Sequence, residues 1–470
     1  MRMGMTIYTY GNNMKSHISK SRVSVPLFIA LLIAAVISLA SIAYIKREQI
    51  KAAAHAYVFG YPLVIMDITK QAFVEKMGPE NQLFHIERFP PVDFRGVVRP
   101  NLDTLYSLAW LNLNDTEMVL SLPAESKRYY LLTILDAWTN VPATFGTRQG
   151  TQDGSSYLLV GPQWRGDTPD GLELVRLPTN MSWILARIQT NGEKDYPIVN
   201  TQQRSMSLVS LADWRAGKKP LPVKNWDQED MPEEPIYQLE KMSAKAFMGH
   251  LISLMDKNPP FEEDTVMVET LEREIVSPNS WGLLDQWAIS TGVWLAKYKL
   301  KEARQDVFER AGWQNPPMEL GNYGNDYALR AFIGMVGLGA NRPEDAMYPT
   351  ARTDADGEKL SSSEDYVIHF DFGETPPVNA FWSITLYDEE GYLVDNKINR
   401  YALGDRDDLY FNADGSLDLY IQRHEPAGER ARNWLPSGDA PIFSLTARLY
   451  WAKPAALSGQ WRLPLVKKQQ

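Results

Sequence analysis

The chain has 470 residues, 44% of them hydrophobic and 11% aromatic, with 48 Lys and Arg against 58 Asp and Glu, a formal net charge of -10. That length and apolar content exclude a disordered chain and predict several domains with large cores. The absence of cysteine excludes disulfides, thiolate zinc sites, iron–sulfur clusters and a cysteine nucleophile.

In chain order, the first 51 residues hold seven cations and one acid, which leaves -16 on the remainder. So acidic a body excludes a nucleic-acid partner. The run from Val23 to Ile45 (VSVPLFIALLIAAVISLASIAYI) carries no charge. As a helix it would be about 34 Å long, enough to cross a hydrocarbon core of ~30 Å, so it predicts a single-pass membrane helix. Ser38-Leu39-Ala40 and Ser41-Ile42-Ala43 keep a cleaved signal peptide open as the alternative. The run is longer than a signal core, which favours a retained anchor. Four Lys and Arg before it and three soon after predict a cytoplasmic N-terminus and a body on the periplasmic side of the inner membrane.

Residues 52–78 read as helix, with Gly60-Tyr61-Pro62 predicting a kink or a break. From Phe89 to about Leu211 the pattern changes to short strands, TLYSLAWLNL, YYLLTILDAW, YLLVGP and LELVRLP, with turns at Asp153-Gly154, Gly161-Pro162 and Pro169-Asp170-Gly171. A Pro-rich charged linker spans 214–235. Apolar spacings of three and four then predict helices over 236–257, 261–275 and 283–311, and a more irregular one over 322–348. The last 120 residues return to strands, YVIHFDF, AFWSITLYD, DLYIQRH and FSLTARLYW, with hairpin turns expected at 388–391 and 412–415. Alternation puts Phe381, Ser383, Thr385 and Tyr387 on one face of AFWSITLYD and Trp382, Ile384 and Leu386 on the other. The expected organisation is tail and anchor at 1–50, helices and a first β-sandwich at 51–213, linker and helical segment at 214–350, and a second β-sandwich at 351–470. The fold class is therefore multidomain α+β: two antiparallel, jelly-roll-like sandwiches with an α-helical segment between them and an N-terminal transmembrane helix.

No G-x-S-x-G, H-E-x-x-H, G-x-x-x-x-G-K-[ST] or S-x-x-K signature is present. Gly334, Gly337 and Gly339 follow no strand in the manner of a dinucleotide loop and read as helix packing. The six histidines are scattered beyond metal-ligand spacing, and Asp354-Ala355-Asp356-Gly357 reads as a surface turn, so no metal and no cofactor is expected.

Three boxes in the first half, AYVFGYP at 56–62, RPNLDTLYSLAWLNL at 99–113 and RYYLLTILDAWTN at 128–140, resemble an uncharacterised bacterial family, domain of unknown function 1254. GNYGNDYALRA at 321–331, PPVNAFWSITLYD at 376–388 and NWLPSGDAPIFSLTARLYW at 433–451 resemble its usual companion, domain of unknown function 1214. The resemblance implies two jelly-roll-like sandwiches with a helical portion, often exported or tethered to the envelope. This chain departs from the pattern after Leu360, where Ser361-Ser362-Ser363 replaces a glycine-containing turn.

The box Asn101, Asp103, Thr104 and Tyr106 supports two readings. In one, Asn and Asp fix a turn through backbone amides and Tyr anchors a sandwich through its hydroxyl. In the other, Asp103 is a carboxylate at a strand mouth, Asn101, Thr104 or Tyr106 bind nearby, and Arg128, Asp136, Arg148 and Arg187 are its charged surround. A strand through the box would place Asn101 and Asp103 on one face and Thr104 and Tyr106 on the other. Trp382, Tyr387, Asn433 and Trp434 are candidates for an aromatic platform suited to sugars or flat ligands. The leading expectation is a membrane-anchored envelope protein that binds a small polar or aromatic molecule where the sandwiches meet the helical segment. The alternatives are a hydrolase using Asp103 with Tyr106 or Arg187 and a structural envelope protein. A homo-oligomer stays open.

Overall fold

The computed structural model describes residues 25–123, 128–151, 154–220, 235–275, 277–308 and 310–469. The N-terminal cations Arg2, Lys15, Lys20 and Arg22, the first two residues of the apolar run, Asp153 of one expected turn and residues 221–234 of the expected linker lie outside them. The chain divides into two compact units, Met1–Glu48 and Gln49–Gln470. In the first, α1 (Val25–Ile45) is the one helix among the described residues long and apolar enough to cross a membrane. Its 21 residues span about 31 Å at 1.5 Å per residue. At its end, Arg47 donates to the Tyr44 carbonyl at 3.0 Å and lies over the Tyr44 ring.

The helical layer of the second unit is organised around α2 (Arg47–Lys76), which runs unbroken through Pro62. The break expected at Gly60-Tyr61-Pro62 does not occur. Nearly every side chain from Ala56 to Thr69 is buried, and a helix buried all round is held by its neighbours wherever one backbone bond is lost. Those neighbours come from both sides of the missing linker. Further along the chain lie α3 (Tyr196–Ser205), α4 (Leu211–Arg215), α5 (Pro235–Lys241), α6 (Ala244–Met255), α7 (Thr265–Glu274), α8 (Leu283–Phe308), α9 (Tyr327–Val336) and the short α10 (Pro454–Leu457). The irregular segment expected over 322–348 is thus helical only at α9.

Two glycines let the helices touch. A Cβ on Gly60 would lie 2.5 Å from Leu251 on α6, and one on Gly292 of α8 would lie 2.2 Å from the Ile50 carbonyl oxygen. Leu251 can move, but a backbone carbonyl cannot. Gly292→Ala is therefore expected to push α8 off α2 and lower stability by about 1–3 kcal/mol. Chemical denaturation checks this, and an unchanged midpoint would refute the close approach.

Nine strands follow in the first half: β1 (Phe84–His85), β2 (Thr104–Asn112), β3 (Met118–Ser121), β4 (Tyr130–Asp136), β5 (Ala143–Gly146), β6 (Ser156–Val160), β7 (Glu173–Arg176), β8 (Met181–Gln189) and β9 (Ser207–Ser210). They form two sheets, β1-β2-β8-β4-β5 and β7-β6-β3-β9. Because side chains alternate along a strand, the first sheet feeds two cores. Leu105, Ala109, Leu132 and Ile184 share one with Met118, Leu120 and Leu159 of the second sheet. Trp110, Leu135, Trp183 and Leu185 point the other way, against α2, α6 and α8. Trp110 and Trp183, paired across β2 and β8, stack there with ring centroids 4.7 Å apart.

The second half contains β10 (Trp313–Gln314), β11 (Ala346–Met347), β12 (Thr350–Ala351), β13 (Tyr366–Phe370), β14 (Val378–Asp388), β15 (Ala402–Gly404), β16 (Leu417–Gln422), β17 (Trp434–Pro436), β18 (Phe443–Ala452) and β19 (Lys467–Lys468). They make a six-stranded sheet, β10-β12-β18-β14-β15 with β11 also on β18, and a four-stranded sheet, β17-β16-β13-β19. Trp382, Ile384 and Leu386 share a core with Tyr366, Ile368, Leu417 and Leu419 of the other sheet.

The architecture is mixed α+β with several antiparallel sheets. Two pairs, β6–β7 and β16–β17, are parallel, because irregular connections carry the chain back to the same end before it pairs. The turn at 412–415 closes on itself, with Gly415 N–H donating to the Asn412 carbonyl, but β16 pairs with the distant β13 instead of forming a hairpin there. At 388–391 a tight turn does form, closed only by a bridge between Tyr387 and Leu393.

Candidate functional site

Segment 99–106 leaves the first half of the chain and lies along one face of the β14–β18 ladder. In register, that face presents the pairs Phe381–Tyr450, Ser383–Arg448, Thr385–Thr446 and Tyr387–Ser444. Arg99 stands in the left-handed region, φ 52°, with its N–H donating to the Gly391 carbonyl at 2.7 Å. Its guanidinium donates to Thr446 Oγ1 at 2.8 Å and Ser444 Oγ at 3.1 Å. Tyr387 donates to the Pro100 carbonyl at 2.6 Å. Arg448 donates to Thr385 Oγ1 at 2.7 Å and to the Arg99 carbonyl at 3.2 Å.

Asn101 Oδ1 accepts from the Asp103 and Thr104 amides at 2.7 and 3.1 Å, a side-chain-closed turn. Its Nδ2 donates to Tyr450 Oη at 2.7 Å and Tyr106 Oη at 3.2 Å. The expected two-faced row does not form, because the strand starts only at Thr104 and the turn before it swings Asn101 back onto Tyr106. Asp103 is 0% exposed. Arg406 binds one carboxylate oxygen, Ser383 Oγ donates to the other at 2.7 Å, and Arg406 reaches on to the Thr190 carbonyl at 2.7 Å. Arg187, also buried, lies over the Tyr106 ring, donates to Tyr106 Oη at 3.3 Å and to the Gly339 carbonyl at 2.9 Å, and has no carboxylate among its hydrogen-bond partners. The box thus joins the two halves, and sequence reasoning missed Ser383, Arg406 and Arg448 as its partners.

The other expected residues lie elsewhere. Arg128 pairs with Asp195, 2.5 Å at the closest, and donates to the Gln189 carbonyl. Arg148 pairs with the buried Asp345 at 2.5 Å. Asp136 sits opposite Ser182 while Thr104 sits opposite Gln189, which puts it about 23 Å along the sheet from the box. Thr104 Oγ1 is buried without a hydrogen-bond partner among the described residues. The aromatic platform is not assembled. Trp382 and Tyr387 point to opposite faces of β14, Asn433 binds the Tyr410 and Asp418 carbonyls, and Trp434 donates to the Gln422 carbonyl.

Burial pushes the Asp136 carboxyl up to about 6, although Trp138 and Asn140 amides donate to it at 2.8 and 2.9 Å. A carboxyl raised on folding favours the native state fully below its unfolded value of 3.8, and that contribution is lost as pH rises through about 6. The stability of the wild type relative to Asp136→Asn should therefore fall between pH 4 and 6 and be flat above 7. A difference independent of pH would contradict the burial effect.

Beside the joint opens a cleft of about 510 Å³. Lys301 and Arg304 reach it from one face of α8, Arg352 and Lys359 from the loop after β12, Glu389 from the turn after β14, and Ser444, which Arg99 holds, from the start of β18. Among its described lining residues are four cations and one carboxylate, and that carboxylate faces Lys359 at 3.5 Å. Burial holds the Arg352 guanidinium down at about 10, and Arg99 and Arg304 nearby add to the effect. A cationic concavity on an acidic body focuses field toward small anions. The i, i+3 spacing of Lys301 and Arg304 was a legible signal, but their partners lie about 50 or more residues further along the chain.

Residues 80–210 match the family described as protein of unknown function (DUF1254), and residues 345–454 match protein of unknown function (DUF1214), in the order the motif boxes predict. The boxes at 56–62 and 321–331 lie outside both ranges. The crystal structure of the VPA0106 protein from Vibrio parahaemolyticus aligns with TM-score 0.66 at 22% identity, over 90% of this chain and 100% of that one, which shows a shared fold. A putative uncharacterized protein from Burkholderia cenocepacia aligns with TM-score 0.44 at 14% identity, over 91% and 96%. No curated protein matches the chain.

Proposed function

For a chain that carries a DUF1254 region followed by a DUF1214 region, we propose a membrane-tethered binding protein that takes a small polar anion in the cleft between α8 and the β18 sheet. The observation that carries this reading is the cleft itself: its size is that of a small-molecule site, and its described charged lining is cationic on a body of opposite sign. It lies where the helical layer meets the second half. Both carboxylate oxygens of Asp103 are taken up, by Arg406 and Ser383, which supports ion pairing at a joint over proton transfer.

The tether is α1, and the balance of cations around it places the body on the periplasmic side of the inner membrane in this proposal. The core shared by each pair of sheets supports reading each half as a β-sandwich.

The test is a thermal-shift panel on the full chain in nanodiscs with succinate, citrate, phosphate and pyrophosphate, a neutral sugar and a cationic amine as controls. At 100 times its Kd a specific ligand stabilises by about 2.7 kcal/mol. At least one anion should raise Tm, less so at high salt, and the controls should not. No shift with any anion, or equal shifts with the controls, overturns the reading.

A further inference from the structure

The helix α8 is apolar on two sides. Ala288, Ile289, Val293, Ala296 and Leu300 are buried against the body. On the far side Leu284, Trp294, Leu295 and Tyr298 are exposed, Trp294 to 62% and Tyr298 to 51%, with Leu283 at the helix start exposed to 84%. Trp294 and Tyr298 stack on one another at 5.9 Å. A water-facing helix side is ordinarily polar, so a second apolar stripe of this length marks a contact surface.

The position of α8 on α2 says what it contacts. Gly292 meets Ile50, three residues into α2 and so about 5 Å along it from Arg47 at a rise of 1.5 Å per residue. Lys297, on one flank of α8, lies over the ring of Tyr57, seven residues deeper into α2, and donates to the Glu240 and Met242 carbonyls. The opposite flank, with Leu284, Leu295 and Tyr298, therefore turns toward the start of α2. In sequence that start follows directly on the apolar α1 and its Tyr44–Arg47 pair, an aromatic and cationic combination typical of a bilayer boundary.

We propose that this outer flank of α8 lies on the lipid headgroup layer beside the entry point of the anchor, as an interfacial helix with Trp294 and Tyr298 at headgroup depth. The proposal rests on the reading of α1 as a membrane anchor. It makes α8, which also carries Lys301 and Arg304, the element that holds the cleft at a set height above the bilayer.

The chain has no cysteine, so single-cysteine spin labels can be placed without background. Leu295→Cys, Tyr298→Cys, Phe372→Cys on an exposed site of the second half, and Leu39→Cys in α1 would each be labelled in the full chain and reconstituted in bilayers. Collision with oxygen is then compared with collision with a water-soluble relaxant. Labels at 295 and 298 should show an oxygen preference several-fold above that at 372, and the label at 39 the highest. Labels at 295 and 298 that match 372 while 39 stays lipid-like would overturn the α8 proposal alone. A water-like label at 39 would overturn the anchor reading and this proposal with it. Dipolar broadening between copies labelled at 295 would show that a second protein chain covers the stripe, which also overturns it.

Discussion

Asp103→Ala is expected to destabilise the protein by about 3–5 kcal/mol, among the largest effects of any single substitution in this chain. The carboxylate is fully buried, and Arg406, itself largely buried over the Phe381 ring, depends on it for charge. Removing the acid strands a buried guanidinium and leaves Ser383 without its acceptor. Arg406→Met should cost a similar amount for the converse reason. The pair Asp103→Leu with Arg406→Met should recover much of the loss, because no charge is then left buried alone. Chemical denaturation of the four proteins as a double-mutant cycle measures this. Single variants within 1 kcal/mol of wild type would mean that the joint between the halves is not held here. Because Asp103 anchors segment 99–106 to the β14–β18 face, the single variants should also lose cooperativity between the two halves, seen as separated unfolding transitions.

The second large effect is on binding. Arg352→Glu is expected to weaken whichever anion the thermal-shift panel identifies by roughly 10- to 100-fold, the range of a charge-assisted hydrogen bond lost and a repulsion gained. Arg352 stands at the centre of the cationic group, close enough to Arg99 and Arg304 for their charges to depress it. Lys359→Glu should cost less, since Lys359 is 65% exposed along its side chain and already faces Glu389, and exposed charges are screened within about 10 Å at 0.1 M salt. Isothermal titration at two salt concentrations separates these outcomes. Equal affinity in Arg352→Glu and wild type would remove the cleft as the binding site. Neither substitution touches the Asp103–Arg406 joint, so folding stability should stay near wild type and distinguish a binding defect from a folding one.

The box at the head of β2 shows how sequence and structure divide the information. Its Asn and Tyr act as the turn-and-anchor reading expected, with Asn101 closing a turn on its own amides. That much is local, set within five residues. Its Asp could be recognised as special but its partner could not. Ser383 lies 280 residues away and Arg406 303, and Arg406 sits in an Asp405-Arg406-Asp407-Asp408 run that reads as a solvated turn. The cleft was illegible for the same reason, because its cations come from a helix and a loop that only the packing of α8 brings together.

By itself the sequence determined what depends on neighbours in the chain: the apolar helix after the tail, the tandem of family regions, the strands of both halves and the two-faced row of β14. Periodicity and apolar length are local quantities, and solvent or lipid reads them one element at a time. Only the tertiary structure decided that α2 would run through Pro62, that β7 and β17 would pair in parallel, and that the polar row of β14 would face the Asn-Asp-Thr-Tyr box. Those outcomes turn on burial and on polar groups finding partners hundreds of residues away, where the free energy of desolvating them, not the propensity of any one segment, selects the arrangement.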